Sequence, residues 1–175
     1  MASTEPAFSL EGTLEEVMLA FDEYRKRQPA SDLVTILPSD CQCLYTNLLA
    51  CMGAVEKPVI FEFAAGSGYS TCVILKAIHD AGNEVELVTS EERGAQMGPL
   101  KSLLKDHGGR LIQGDLTTPS KTNEIPPEID FLVIDTDHTA TMAEWYVEHL
   151  FDRVVLNGLC FLHDMAFASN HWQET

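Results

Sequence analysis

The sequence predicts an α/β fold of three layers, in which helices cover both faces of a mostly parallel sheet. Three observations point there. From Pro58 onward, short apolar runs of strand length alternate with amphipathic stretches of helical length. A glycine turn, Gly66-Ser67-Gly68, directly follows the first apolar run. Polar residues suited to chemistry then stand at the ends of the runs, where open parallel sheets bind their ligands. The chain has 175 residues, 45% hydrophobic and 22% charged, which suits one globular domain with a real core. Within that domain, residues 1–57 read as an N-terminal helical cap and residues 58–175 as the α/β core.

Residues 1–10 read as a loose leader. Thr13 and Glu16 have capping-box spacing, and Leu14, Val17, Phe21 and Tyr24 recur at helical spacing until the chain nears Pro29. A second helix is expected from Asp40 to about Met52, with Leu44, Leu48 and Met52 on one face. Val59 to Phe63 reads as a buried strand. Residues 70–81 then form a helix that turns Val73, Ile74, Ala77 and Ile78 inward and stops at Gly82. Val85 to Ser90 is the second strand, 94–106 the next helix and Arg110 to Gln113 the third strand. Phe131 to Ile134 is the fourth. The helix after it places Met142, Trp145, Tyr146, His149 and Leu150 on one face, and the fifth strand lies within Val154 to Leu162, starting after an Asn157-Gly158 turn.

The strand ends carry the candidate chemistry. Gly66 and Gly68 let the backbone turn tightly and let a ligand approach, and the helix beginning near Ser70 offers N–H groups to an anionic group. A plain tight turn, a dinucleotide pyrophosphate site and a site for the amino-acid end of S-adenosylmethionine all accommodate this pattern. Glu62, an acid inside the first strand, stands where a dinucleotide site usually has an apolar residue. Glu91, with Glu92 beside it, follows the second strand at about 20 residues from the turn, the place of a ribose-binding acid. An exposed strand-end acid would look the same. Asp115 closes the third strand. Ile134-Asp135-Thr136-Asp137-His138 follows the fourth, and His163-Asp164 ends the fifth. These last two ends are neighbours in a sheet of this kind.

The stretch Glu62 to Thr71, the segment Ile134 to His138, the turn Leu156 to Leu159 and the closing His163-Asp164 together resemble the class I S-adenosylmethionine-dependent methyltransferases. The likeness is to the small-molecule, catechol O-methyltransferase-like group, and it covers roughly residues 58–165. One departure is that Ala64 stands where that group has the first glycine of its turn. The resemblance implies a Rossmann-like sandwich with strand order 3-2-1-4-5, here without the two strands that usually follow. It implies S-adenosyl-L-methionine as cofactor, held by Glu62, Ala64, Gly66, Gly68, Tyr69, Ser70, Glu91, Asp115 and Asp135. Asp115 would accept from the adenine amino group.

Metal-dependent members of the group hold a divalent cation with an acid after the fourth strand and an Asp-Asn pair after the fifth. Asp135 and Asp164 match the acids, Met165 replaces the asparagine, and His163 could supply a nitrogen ligand. His138 stands where relatives carry a basic residue. Neutral imidazole is a suitable general base near pH 7. The expected reaction is methyl transfer to an oxygen of a small molecule, with His138, Asp135 and His163 as catalytic residues and a divalent cation as an optional aid. The remaining histidines have no assigned role. A shortened module that binds the cofactor or acts through a partner, a nucleotide-dependent oxidoreductase, and a different reaction of the same cofactor are the alternatives.

A formal net charge of −16 argues against nucleic acid and anionic membrane surfaces as partners. No apolar run reaches the roughly 20 residues needed to span a bilayer. Five cysteines without a Cys-x-x-Cys pair, and no basic-then-apolar leader, suggest a reducing, cytoplasmic setting. The fifth strand would be left as a sheet edge, so pairing with a second copy as a homodimer is a further expectation.

Overall fold

The computed structural model describes residues 8–27, 36–93, 97–136 and 139–163. Five parallel strands form one sheet in the order β3-β2-β1-β4-β5. The strands are β1 (Val59–Phe63), β2 (Glu86–Glu91), β3 (Arg110–Gln113), β4 (Ile129–Ile134) and β5 (Val154–Leu162). The helices are α1 (Leu14–Lys26), α2 (Pro38–Ala54), α3 (Tyr69–Ala81), α4 (Met97–His107), the short α5 (Pro119–Thr122) and α6 (Ala140–His149).

Alternation along the strands divides the core in two. In β1, Ile60 faces α1 to α4 and packs with Phe21, Leu44, Leu48, Ile74 and Leu100. Its neighbours Phe61 and Phe63 face the other way, toward Ile125, Tyr146 and Leu150. That period of two also sends Glu62 to the α3 side of the sheet.

The capping box at Thr13 and Glu16 forms as the spacing predicts. The buried face of α1 ends on Arg25, one residue beyond the expected Tyr24, because Arg25 continues the stripe of Val17 and Phe21. Pro38 opens α2 two residues before Asp40, its fixed φ suiting the first helical turn. β4 begins at Ile129, two residues early, since Ile129 is fully buried and pairs with Val154. Glu91 is the last residue of β2 and pairs with Gln113. The first residues expected in the fourth helix, 94–96, lie outside the described residues.

The expected start of β5 is corrected. The strand begins at Val154, and Asn157-Gly158 is a bulge inside it. The register runs from Ile129↔Val154 to Phe131↔Leu159, so extra residues of β5 loop out between these pairs. Asn157 takes a φ of 70° there. A Cβ on Gly158 would meet Val154 Cγ1 at 2.7 Å and the carbonyl oxygen of Asp130 at 3.2 Å. The carbonyl oxygen of Val155 stands at 3.0 Å, so the bulge leaves little room for a side chain at this position.

β5 is the edge of the sheet, and among the described residues no strand pairs with its outer side. No helix of the described residues is long and apolar enough to cross a membrane.

Candidate active site

A cleft of about 370 Å³ opens at the carboxyl ends of β1, β2, β3 and β4. That volume lies within the range of small-molecule and cofactor sites. Its walls come from segments far apart in the chain. The turn after β1 contributes Ala64 to Ser67 with Tyr69 and Ser70; β2 contributes Ser90 to Arg93; β3 contributes Gly114 to Thr117; β4 contributes Asp135 and Thr136.

The turn is held from three directions. From below, the Glu62 carboxylate accepts from Ser70 Oγ at 2.5 Å, from Thr71 Oγ1 at 2.6 Å and from Thr89 Oγ1. Glu62 is almost fully buried, and burial pushes its carboxyl above the ordinary range against the opposing pull of those three hydroxyls. It does not line the cleft; it ties the start of α3 to β2. From the β2 side, Glu91 Oε2 accepts from Gly66 N at 2.6 Å and its Oε1 from Arg93 N at 2.7 Å. From the cap, Arg25 Nη1 donates to Ser67 Oγ at 2.5 Å, and its guanidinium lies 4.8 Å from the centre of the Tyr69 ring.

Ala64 has a φ of 68°, a conformation that costs a residue with a Cβ about 1 kcal/mol or more. The glycine that the resembling group carries there would adopt it freely. Gly68, with a φ of 89°, is the N-cap of α3 and sits outside the cleft lining. A Cβ on it would come within 3.3 Å of Leu100 Cα and Leu103 Cδ1, so its place in the motif serves the contact between α3 and α4. Asp115 lines the cleft and closes a turn on Thr117, accepting from its N–H at 2.8 Å and its hydroxyl at 2.6 Å.

Asp135 lines the cleft, and its Oδ1 lies 3.1 Å from His163 Nδ1. The other ring nitrogen of His163 lies 3.3 Å from Asp40 Oδ2 on α2. His163 thus joins the ends of β4 and β5 to the cap and stands beside the cleft lining. His138 and Asp164 lie outside the described residues. Among the described residues, no group of three or more His, Cys, Asp or Glu side chains is arranged to hold a metal ion. Asp135 and His163 are turned on one another at the mouth of the cleft.

The sequence reading overlooked Arg25 and Asp40. Arg25 had a signal, its spacing of four from Phe21 on the buried stripe. Asp40 had none, since it meets His163 across 123 residues of chain.

A family model described as a methyltransferase domain matches residues 62–165. No curated protein is similar enough in sequence to match. Among solved structures, the chain resembles a methyltransferase of Podospora anserina with S-adenosylhomocysteine bound. The two are 19% identical with a TM-score of 0.60, over 83% of this chain and 61% of the other. It also resembles a candidate caffeoyl-CoA O-methyltransferase from Staphylococcus aureus, at 15% identity and a TM-score of 0.66, over 89% of this chain and 68% of that one. An O-methyltransferase of Bacillus cereus in complex with S-adenosylhomocysteine matches at 19% identity and a TM-score of 0.52, over 85% and 64%. The chain therefore spans about two thirds of the length of these structures.

Proposed function

This chain belongs to the methyltransferase domain family, and from that premise we propose that it binds S-adenosyl-L-methionine in the cleft and transfers its methyl group to an oxygen of a small molecule. The observation that carries the reading is the gathering of the glycine turn, Glu91, Asp115 and Asp135 around one cleft. Solved structures of similar fold with S-adenosylhomocysteine bound support the choice of cofactor.

The side chains divide the work by position. Glu91 is fixed by two backbone N–H groups at the end of β2, where it can accept from ribose hydroxyls. Asp115 stands at the end of β3, beside the place expected for adenine. Ser67, Tyr69 and Ser70 surround the amino-acid end, backed by the first turn of α3. Glu62 orients Ser70 from beneath rather than meeting the ligand. The bound cofactor would supply an electrophilic methyl carbon.

Asp135 and His163 then border the acceptor side. His138 is the proposed base for the acceptor hydroxyl, and Asp135, oriented by His163, holds that acceptor in line. A divalent cation at Asp135, His163 and Asp164 is the other proposed means of acidifying the hydroxyl. No step above depends on it. The five cysteines are free thiols, which accords with the cytoplasmic setting we propose.

Calorimetric titration with S-adenosylhomocysteine tests the cofactor. Binding should also raise Tm, since at 100 times Kd a ligand adds about 2.7 kcal/mol. Neither heat nor a thermal shift would end the proposal. Mass spectrometry of a phenol and S-adenosylmethionine mixture should then show S-adenosylhomocysteine and a methyl ether. Loss of that turnover with a chelator, restored by added cation, would assign the metal-assisted form.

A further inference from the structure

Arg25 is the one arginine in the described helices whose side chain is wholly withdrawn from solvent, and it points at the turn after β1. Its Nη1 donates to Ser67 Oγ at 2.5 Å, and its guanidinium covers the Tyr69 ring. Ser67 and Tyr69 both line the cleft. Asp22, one turn earlier on α1, accepts from Nη2 at 3.1 Å, but Asp22 is only partly buried and is shared with Lys26 at 2.8 Å.

Withdrawing a guanidinium from water is costly unless its charge and donors are used. Here Nη2 is used by Asp22, while Nη1 and the face of the guanidinium are directed to one end of the cleft. The same end holds the first turn of α3, thirteen residues long, whose leading N–H groups have no carbonyl of their own helix to reach. A buried cation behind a helix N-terminus makes a local field that favours a negative ligand group, and it acts through a medium that screens poorly.

We propose that Arg25 is a positioning residue for the carboxylate of the cofactor's amino-acid end. It fixes the Ser67 hydroxyl and places positive charge behind the turn, without touching the ligand itself. The inference rests on the cleft being the cofactor site. It adds that the N-terminal cap, outside the stretch matched by the family model, takes part in recognition.

Two ligands separate this role from a structural one. S-adenosylhomocysteine carries the amino acid, whereas 5′-methylthioadenosine keeps the nucleoside and sulfur but lacks the carboxylate. Arg25→Met should weaken S-adenosylhomocysteine by about tenfold, the order expected for losing one favourable charge interaction, and should leave methylthioadenosine nearly unchanged. Arg25→Lys keeps the charge and should recover part of the loss. Ser67→Ala, which removes the hydroxyl but not the cation, should show a smaller selective loss. It also serves as the test should Arg25→Met fail to fold.

Equal loss of both ligands in Arg25→Met would mean that the arginine merely supports the fold and would overturn the proposal. Unchanged affinity for S-adenosylhomocysteine in the folded variants would overturn it too. Wild-type protein that binds neither ligand would instead remove the reading of the cleft on which the proposal rests.

Discussion

Glu62 departs furthest from its expected role at the residue scale. The resemblance implies a cofactor-binding acid at this position, and the fold turns it under the loop, where three hydroxyls donate to it. Burial holds its carboxyl above the ordinary carboxylate range in the folded protein. The native state therefore holds that proton more tightly than the unfolded chain, and stability from this group is lost as pH rises through the folded pKa. Glu62→Gln cannot ionise. The stability of the variant relative to wild type should thus improve between about pH 5 and about pH 8, as read by urea denaturation at both. A difference that stays constant across that range would contradict the buried, proton-retaining state.

Ala64 makes a second residue-scale prediction. A positive φ costs about 1 kcal/mol with a Cβ, whereas glycine adds a comparable entropy to the unfolded chain. Ala64→Gly should therefore leave Tm unchanged or raise it by about 2 °C. A fall of more than about 3 °C would show that the methyl group makes a packing contribution larger than the strain.

Among the elements, α3 and its turn determine most of the site. Gly68 allows α3 to approach α4 so closely that a Cβ would press on the Leu100 backbone. Gly68→Ala should cost about 2 kcal/mol from the combined clash and positive φ, a drop in Tm on the order of 6 °C for a chain of this size. Thermal denaturation followed by circular dichroism measures it, and an unshifted Tm would refute the close approach. β5 teaches a different lesson. Asn-Gly is ordinarily a turn signal, but here Gly158 sits in a bulge crowded by Val154, Val155 and Asp130, and the strand continues on both sides. Local chemistry cannot distinguish a turn before a strand from a bulge within one.

For the whole molecule, the outer edge of β5 is the surface at which we propose that two copies pair. Leu156 is 93% exposed and Leu159 39% exposed, and the strand carries no charge to discourage pairing. The proposed homodimer would form there. Sedimentation velocity should find a concentration-dependent dimer that Leu156→Lys with Leu159→Lys abolishes. Wild-type protein that is monomeric at every concentration would dismiss the pairing. With a formal net charge of −16, association should strengthen as salt screens the repulsion between copies.

The strands, the layers and the glycine turn were legible in the sequence because each is written in local periodicity, whereas the order of the strands came from the family resemblance. A buried strand is a short apolar run, an amphipathic helix repeats every three to four residues, and a strand-to-helix turn needs glycine. The approximate places of Glu91, Asp115 and Asp135 followed, since the ends of parallel strands share one side of the sheet. Tertiary structure alone decided which way these groups point and what they meet. Period-two alternation put Glu62 on the helix side, where Ser70, Thr71 and Thr89 enclose it. The docking of α1 brought Arg25 to Ser67 across 42 residues, and the docking of α2 brought Asp40 to His163 across 123. Such pairings depend on the packing of distant segments, and no spacing along the chain encodes them.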